Sequence, residues 1–191
     1  MSGLVSVGYF LFSLLFSLLT FVLWTRMALR YFRVSTLHPV SQAINRLTNP
    51  IITPLAGLFK SKTKRLSRYD WACFTVLVIV ELVKFITLGW LLLGILMPWT
   101  LVLLYTVADL IVQPCDLLFY AILIRVIMSW VNPHWQHPFA DVLRLVTAPL
   151  LQMARRLIPD IAGFDFSPFL AVLALKVITL FISSSMPLHL I

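Results

Sequence analysis

The sequence predicts an all-α integral membrane protein with four transmembrane helices in two tandem parallel repeats, each repeat carrying a proline-broken amphipathic helix at the cytoplasmic interface. Three observations lead there. The chain of 191 residues is 61% hydrophobic and only 12% charged, with a mean hydropathy of +0.98, far above the roughly 45–50% apolar content of a soluble domain. Its apolar residues gather into four runs long enough to cross a hydrocarbon core, which takes about 20 helical residues. The stretch from His137 to Pro168 also has a weaker copy upstream: moved by 99 positions, His38-Pro39 falls on His137-Pro138, Thr48 on Thr147, Pro50 on Pro149, Leu58 on Leu157 and Arg26 on Arg125. After a four-residue slip in the loop, Asp70-Trp71-x-x-Phe74 falls on Asp165-Phe166-x-x-Phe169.

The first repeat covers residues 1–98. Its opening run, 4–24, is the first span. Met1 to Tyr9 contains no Lys or Arg, unlike the basic start of a cleaved signal peptide, so the run is expected to persist. It leaves the bilayer through Arg26, Arg30 and Arg33, with Trp24 and Tyr31 at headgroup level. Residues 38–59 form an amphipathic segment whose apolar residues Val40, Ala43, Ile44, Leu47, Ile51, Leu55 and Leu58 follow helical spacing. Pro50 lacks an N–H and disfavours helix at Asn49, which predicts two short helices or one sharp kink lying in the interface plane. A basic linker from Lys60 to Arg68 follows, a topology signal that also attracts anionic lipid. The second span is expected over 71–97, ended by Pro98.

The second repeat covers residues 99–191. Its first run, 99–131, is too long for one straight span, and Pro114, with Gln113 and Asp116 beside it, is expected to kink it. Two full spans would have only about 15 residues each, below the usual minimum. The amphipathic segment 137–158 repeats the stripe with Phe139, Val142, Leu143, Val146, Leu150, Met153 and Leu157, broken at Pro149. Arg155 and Arg156 suit the carbonyl end of that helix, and Pro159 stops it. Gly163 permits a turn, Ser167 reads as an N-cap with Pro168 at the first helical position, and the last span runs over 168–186.

Charge sets the orientation. Of fifteen Lys and Arg, nine lie between Arg26 and Arg68 and three between Arg144 and Arg156, while nothing basic separates Phe85 from Ile124. The positive-inside rule then puts 25–70 and 132–166 in the cytoplasm and both termini in the periplasm. The net charge of +8 belongs to these juxtamembrane clusters and not to a nucleic-acid surface.

The patterns I-R-V-I-M-S-W-V-N-P from Ile124, T-A-P-L-L from Thr147, R-R-L-I-P from Arg155 and G-F-D-F-S-P from Gly163 resemble the YggT (YlmG-type) family of small integral membrane proteins. The resemblance covers nearly the whole chain as two units, and the second is nearer the pattern. Where the family has T-x-P-L-L-x-P, this chain has Met153 in place of the last proline. In the first copy Ala56-Gly57 stands where the arginine pair would be, and the linker is expected to supply the basic function. The resemblance implies a role in envelope organisation and osmotic-stress tolerance. For plastid relatives it implies one in cytochrome b6 haem assembly and nucleoid placement. No enzymatic reaction goes with it.

The residues themselves offer no catalytic constellation. His38, His134, His137 and His189 are too few and too scattered for the three or four convergent ligands of a metal site, and none lies in an apolar run where it would hold haem. Cys73 and Cys115 have no disulfide or metal spacing and read as small apolar residues. Nucleophile-elbow, zincin, phosphate-loop and dinucleotide motifs are absent. The expectation is a non-enzymatic inner-membrane scaffold or assembly factor without a cofactor, meeting anionic headgroups or an unidentified membrane protein through Arg144, Arg155 and Arg156. The alternative is a small ion channel or transporter, which four short spans would build only as a homo-oligomer.

Glu81, Lys84, Asp116 and Lys176 lie within the apolar runs, where an unpaired charge costs at least about 2.5–3.5 kcal/mol. Counting depth at 1.5 Å per residue puts Lys84 and Asp116 roughly 20 Å from the cytoplasmic boundary and Glu81 and Lys176 roughly 14 Å from it. That predicts Lys84 with Asp116 and Glu81 with Lys176. The competing arrangement is a local Glu81–Lys84 pair, with Lys176 snorkelling toward an interface.

Overall fold

The computed structural model describes residues 3–58, 70–131, 137–157 and 165–187. The linker 60–68, His134, Pro159, Gly163 and His189 lie outside them. Six helices account for nearly all of the described chain: α1 (Gly3–Tyr31), α2 (Pro39–Leu58), α3 (Trp71–Leu93), α4 (Trp99–Val131), α5 (Pro138–Leu157) and α6 (Ser167–Ser184). Of these, α1, α3, α4 and α6 are long and apolar enough to cross a membrane, and their exposed sides carry large apolar residues such as Phe10, Leu15, Val107 and Phe181. Such a surface suits hydrocarbon and would be untenable in water.

Two boundaries differ from expectation for identifiable reasons. The first helix does not stop near Trp24 but continues through Arg26 and Arg30 to Tyr31, since arginine is a good helix former and both side chains find partners below. The third helix ends at Leu93, short of Met97, because Gly94 takes a left-handed φ of 69° and its N–H closes on the Trp90 carbonyl at 2.9 Å. The chain then doubles back, and Met97 packs over Gly89, where a larger residue would collide with the methionine sulfur.

The prolines divide none of the helices. Pro50 and Pro54 lie inside α2, Pro149 inside α5 and Pro114 inside the continuous 33-residue α4. Each interior proline forfeits one backbone hydrogen bond, a cost of about 3 kcal/mol. Packing on both sides offsets it: Thr48 and Ile52 bracket Pro50 and are buried, as are Thr147 and Leu151 around Pro149. The buried faces of these two shorter helices keep part of the expected stripes, with Val142, Leu143 and Val146 of α5 buried and Val40, Ile44 and Ile51 of α2 partly so, and are shifted in the rest. Ser41, Thr48 and Ile52 of α2 face inward, as do Ala140, Thr147 and Leu151 at the same 99-residue offset, while Leu47, Phe139, Met153 and Leu157 are exposed. Small and hydroxyl-bearing residues allow the close helix approach that membrane bundles use.

Packing falls into two three-helix groups. Leu23, Ile52, Cys73, Val76 and Leu77 join α1, α2 and α3. Ile122, Leu151, Ala154, Ala171 and Leu175 join α4, α5 and α6. A cluster of Phe85, Met97, Val102 and Tyr105 ties α3 to α4. Leu29 packs with Val142 and Val146, bringing α5 against the end of α1, and α2 touches α5. The two shorter helices therefore sit together at one end of the four long ones.

Candidate functional site

At that end the two halves repeat one hydrogen bond. Arg26 Nη1 of α1 donates to Thr48 Oγ1 of α2 at 2.6 Å, and Arg125 Nη1 of α4 donates to Thr147 Oγ1 of α5 at 2.7 Å. Each threonine hydroxyl in turn donates to the carbonyl four residues back, Ile44 at 2.8 Å and Leu143 at 2.7 Å. Both threonines are buried. A guanidinium anchored to a buried hydroxyl fixes each shorter helix against its long neighbour, since breaking the contact would strand a buried polar group.

A capping aspartate completes each arrangement, with a different arginine in each half. Asp70 is buried, accepts from the Cys73 N–H at 3.2 Å as the N-cap of α3, and pairs with Arg30 at 2.7 Å and Arg26 at 3.5 Å. Asp165 accepts from the Ser167 N–H at 2.9 Å and pairs with Arg155, whose Nε lies 3.1 Å away. Ser167 is thus not the cap. Phe166 occupies that position without a side-chain bond, Pro168 lies in the first turn, and the aspartate beyond supplies the acceptor. Burial raises the Asp165 carboxyl, but hydrogen bonds from Ser167 and Arg155 outweigh it and leave the group below its ordinary value. In the first half Arg30, on α1, takes the place beside the capping aspartate that Arg155 takes in the second. Among the described residues no carboxylate is within ion-pair distance of Arg125.

A second polar group lies in the interior of the long helices. Lys84 of α3 is ion-paired to Asp109 of α4 and lies 3.5 Å from Glu81, one turn back on its own helix. Gln113 Nε2 bridges the two acids, donating to Glu81 and to Asp109 at 2.8 Å each. Glu81, Lys84 and Asp109 are all buried. Lys176 of α6 donates to Asp116 of α4 at 3.0 Å, and its ammonium lies 4.5 Å from the Phe119 ring centre.

The expected pairs Lys84–Asp116 and Glu81–Lys176 therefore do not form. Cross-span pairing is present, as is the local Glu81–Lys84 contact, but the partners are exchanged. Asp109 was not among the expected charges. It marks a polar face of α4, since Asp109, Gln113 and Asp116 recur at i, i+4 and i+7, and that spacing is the signal that finds it. A cavity of about 250 Å³ opens beside this face, lined by Ser13, Ser17, Lys84, Asp109, Gln113 and Asp116.

Of the remaining expected residues, Arg155 belongs to the first group through Asp165, and the Arg144 carbonyl lies 3.4 Å from Arg125 Nη1. Arg144, Arg155 and Arg156 are on the outer side of α5, Arg144 lying 3.7 Å from Asp141. His38 and His137 immediately precede α2 and α5. Cys73 is buried with its sulfur 3.6 Å from the Leu23 carbonyl, and neither it nor Cys115 forms a disulfide. Among the described residues no three His, Cys, Asp or Glu side chains are placed to hold a metal.

The model of the CCB3/YggT family matches the chain twice, over residues 5–91 and 101–186. The chain belongs to the YggT family. It is 33% identical over 176 residues to the uncharacterized protein YggT of Escherichia coli K12, covering 90% of this chain and 86% of that one. An uncharacterized protein of Pseudomonas aeruginosa is 29% identical over 190 residues, 97% of this chain and 93% of its own. An uncharacterized protein of Galdieria sulphuraria is 34% identical over 76 residues, 39% of this YggT-family chain and 78% of its own length. No solved structure matches.

Proposed function

We propose that this YggT-family chain is a non-enzymatic scaffold or assembly factor of the bacterial inner membrane, acting in envelope organisation and osmotic-stress tolerance. The observation that carries the reading is the repeated arginine–threonine anchor, which fixes two amphipathic helices side by side at one end of the bundle. A rigid platform suits the holding of lipid or a membrane protein, and its outward Arg144, Arg155 and Arg156 supply the contact. In this reading the platform is interfacial, each half of the chain, 1–98 and 99–191, is one repeat, and the platform faces the cytoplasm with both termini periplasmic. Arg155→Ala with Arg156→Ala is expected to keep protein level within about twofold of wild type, because exposed ion pairs contribute little to folding. The same variant is expected not to rescue a deletion strain under osmotic shock; full rescue rejects the reading.

A second reading, a small oligomeric channel or transporter, is favoured by the buried Glu81, Lys84 and Asp109, bridged by Gln113, with the adjoining cavity. Cation or proton uptake into proteoliposomes that is lost in Asp109→Asn supports it. No flux at any imposed potential removes it.

A further inference from the structure

The difference in how the two anchoring arginines are neutralised leaves an unfilled place in the second half. Arg26 lies 3.5 Å from Asp70, and Arg30 shares that carboxylate. Arg125 has no such neighbour among the described residues, because Asp165 is turned to Arg155. Arg125, Arg155 and Asp165 line one cleft of about 630 Å³ between α4, α5 and α6. Among the described lining residues, two guanidiniums stand against one carboxylate, a formal charge of +1. Its remaining walls are largely apolar, from Val126 on α4, Leu151 on α5, and Phe169 and Val172 on α6.

The position of the cleft narrows the choice of ligand. It lies where α4 ends, near Trp130, and α6 begins, at Pro168, so one side is at the end of the long apolar helices and the other runs back along them. A single surplus positive charge beside an apolar channel, at the level where hydrocarbon gives way to headgroups, matches a phosphodiester monoanion carrying acyl chains. Guanidinium pairs bind phosphate through several charge-assisted hydrogen bonds, and the volume is within the usual range of small-molecule sites.

We propose that this cleft binds one phospholipid, with its phosphodiester between Arg125 and Arg155 and an acyl chain along Val126, Leu151 and Val172. The proposal rests on reading the α2–α5 end as a membrane boundary, and it gives the lipid contact of that platform a definite location. The lipid phosphate takes for Arg125 the place that Asp70 takes for Arg26. The second half is then complete only in a membrane.

The test uses the full chain, purified in mild detergent and stripped of lipid. Dioleoylphosphatidylglycerol, dioleoylglycerol and inorganic phosphate are added back separately, and bound species are counted by native mass spectrometry. One phosphatidylglycerol per chain is expected to bind ahead of all others. Arg125→Gln is expected to weaken that site about tenfold through loss of a charged hydrogen-bond donor. Val172→Trp, which fills the channel and leaves both arginines, should weaken it comparably, and it decides the matter if the Arg125 variant fails to fold. Arg26→Gln should leave the site unchanged. Equal binding of dioleoylglycerol, displacement by inorganic phosphate, insensitivity to Val172→Trp, or an equal loss in Arg26→Gln overturns the proposal. Because the readout is bound lipid in the isolated chain, failure here leaves the osmotic-shock result for Arg155 and Arg156 standing, and failure there leaves the cleft standing.

Discussion

Arg26 and Arg125 occupy equivalent places in the two halves and make the same bond to a threonine, yet the aspartate at the head of the following helix takes its arginine from opposite sides. In the first half the partner is Arg30, one turn along the same long helix; in the second it is Arg155, from the shorter helix. The sequence positions explain the exchange. Ser129 stands 99 residues after Arg30, and Ala56 stands 99 residues before Arg155. Besides its anchoring arginine, each half keeps one arginine for its aspartate and has a small residue where the other half has its own. What the arrangement preserves is neutralisation of the capping carboxylate, and the route by which the cation arrives is free to vary.

The largest effect expected from perturbing this design lies in the buried network, where the halves meet. Lys84→Ala leaves two buried carboxylates without their ammonium, and breaking such a pair costs about 3–5 kcal/mol. Steady-state abundance in membranes should collapse. Lys84→Met with Asp109→Leu and Glu81→Leu should recover much of it, because an apolar set of similar volume is tolerated where part of a buried charged network is not. The partly exposed Lys176–Asp116 pair should cost clearly less when broken, and equal losses at the two sites would show that burial does not set the scale.

The exchanged arginines come next. Arg30→Ser removes the 2.7 Å partner of a buried aspartate and is expected to cost about 1–3 kcal/mol in detergent unfolding. Adding Ala56→Arg to that variant rebuilds the pattern of the second half and should restore part of the loss. A double variant no more stable than Arg30→Ser would show that the two routes are not interchangeable.

The anchors should then separate the halves. Thr48→Val leaves Arg26 with Asn49 at 2.8 Å and Asp70 at 3.5 Å, whereas Thr147→Val leaves Arg125, among the described residues, only a 3.4 Å contact to the Arg144 carbonyl. The second change is expected to destabilise more, by about 1 kcal/mol, the net worth of one hydrogen bond. Thermal unfolding of the paired variants measures it, and a larger loss for Thr48→Val reverses the comparison.

The smallest effect is a pH dependence at the start of α6. The Asp165 carboxyl is held below its ordinary value, so the stabilisation it confers is present above that ordinary value and is lost as pH falls through the lowered one. Proteolytic nicking ahead of α6 should therefore rise only at strongly acidic pH, and Asp165→Asn should remove that dependence. A transition that survives in the Asn variant belongs to another group.

Much of this was legible before any coordinates, because it depends on patterns local to the chain. Four apolar runs of sufficient length dictate four long helices, since a bilayer core leaves a single spanning segment no other way to satisfy its backbone. A fixed offset carrying Arg26 to Arg125 and Thr48 to Thr147 put the two anchors in register, although nothing in that offset said that the residues would touch. Tertiary structure alone decided the charge partners. Depth counted along a helix treats each span as straight and upright, and a 33-residue α4 is too long to cross a bilayer that way. Which of Asp109 and Asp116 meets Lys84 depends on how α4 is tilted and rotated against α3 and α6. The prolines show the same limit from the other side: local chemistry gives the cost of an interior proline correctly, but only packing around Thr48, Ile52, Thr147 and Leu151 reveals that the helix can bear it.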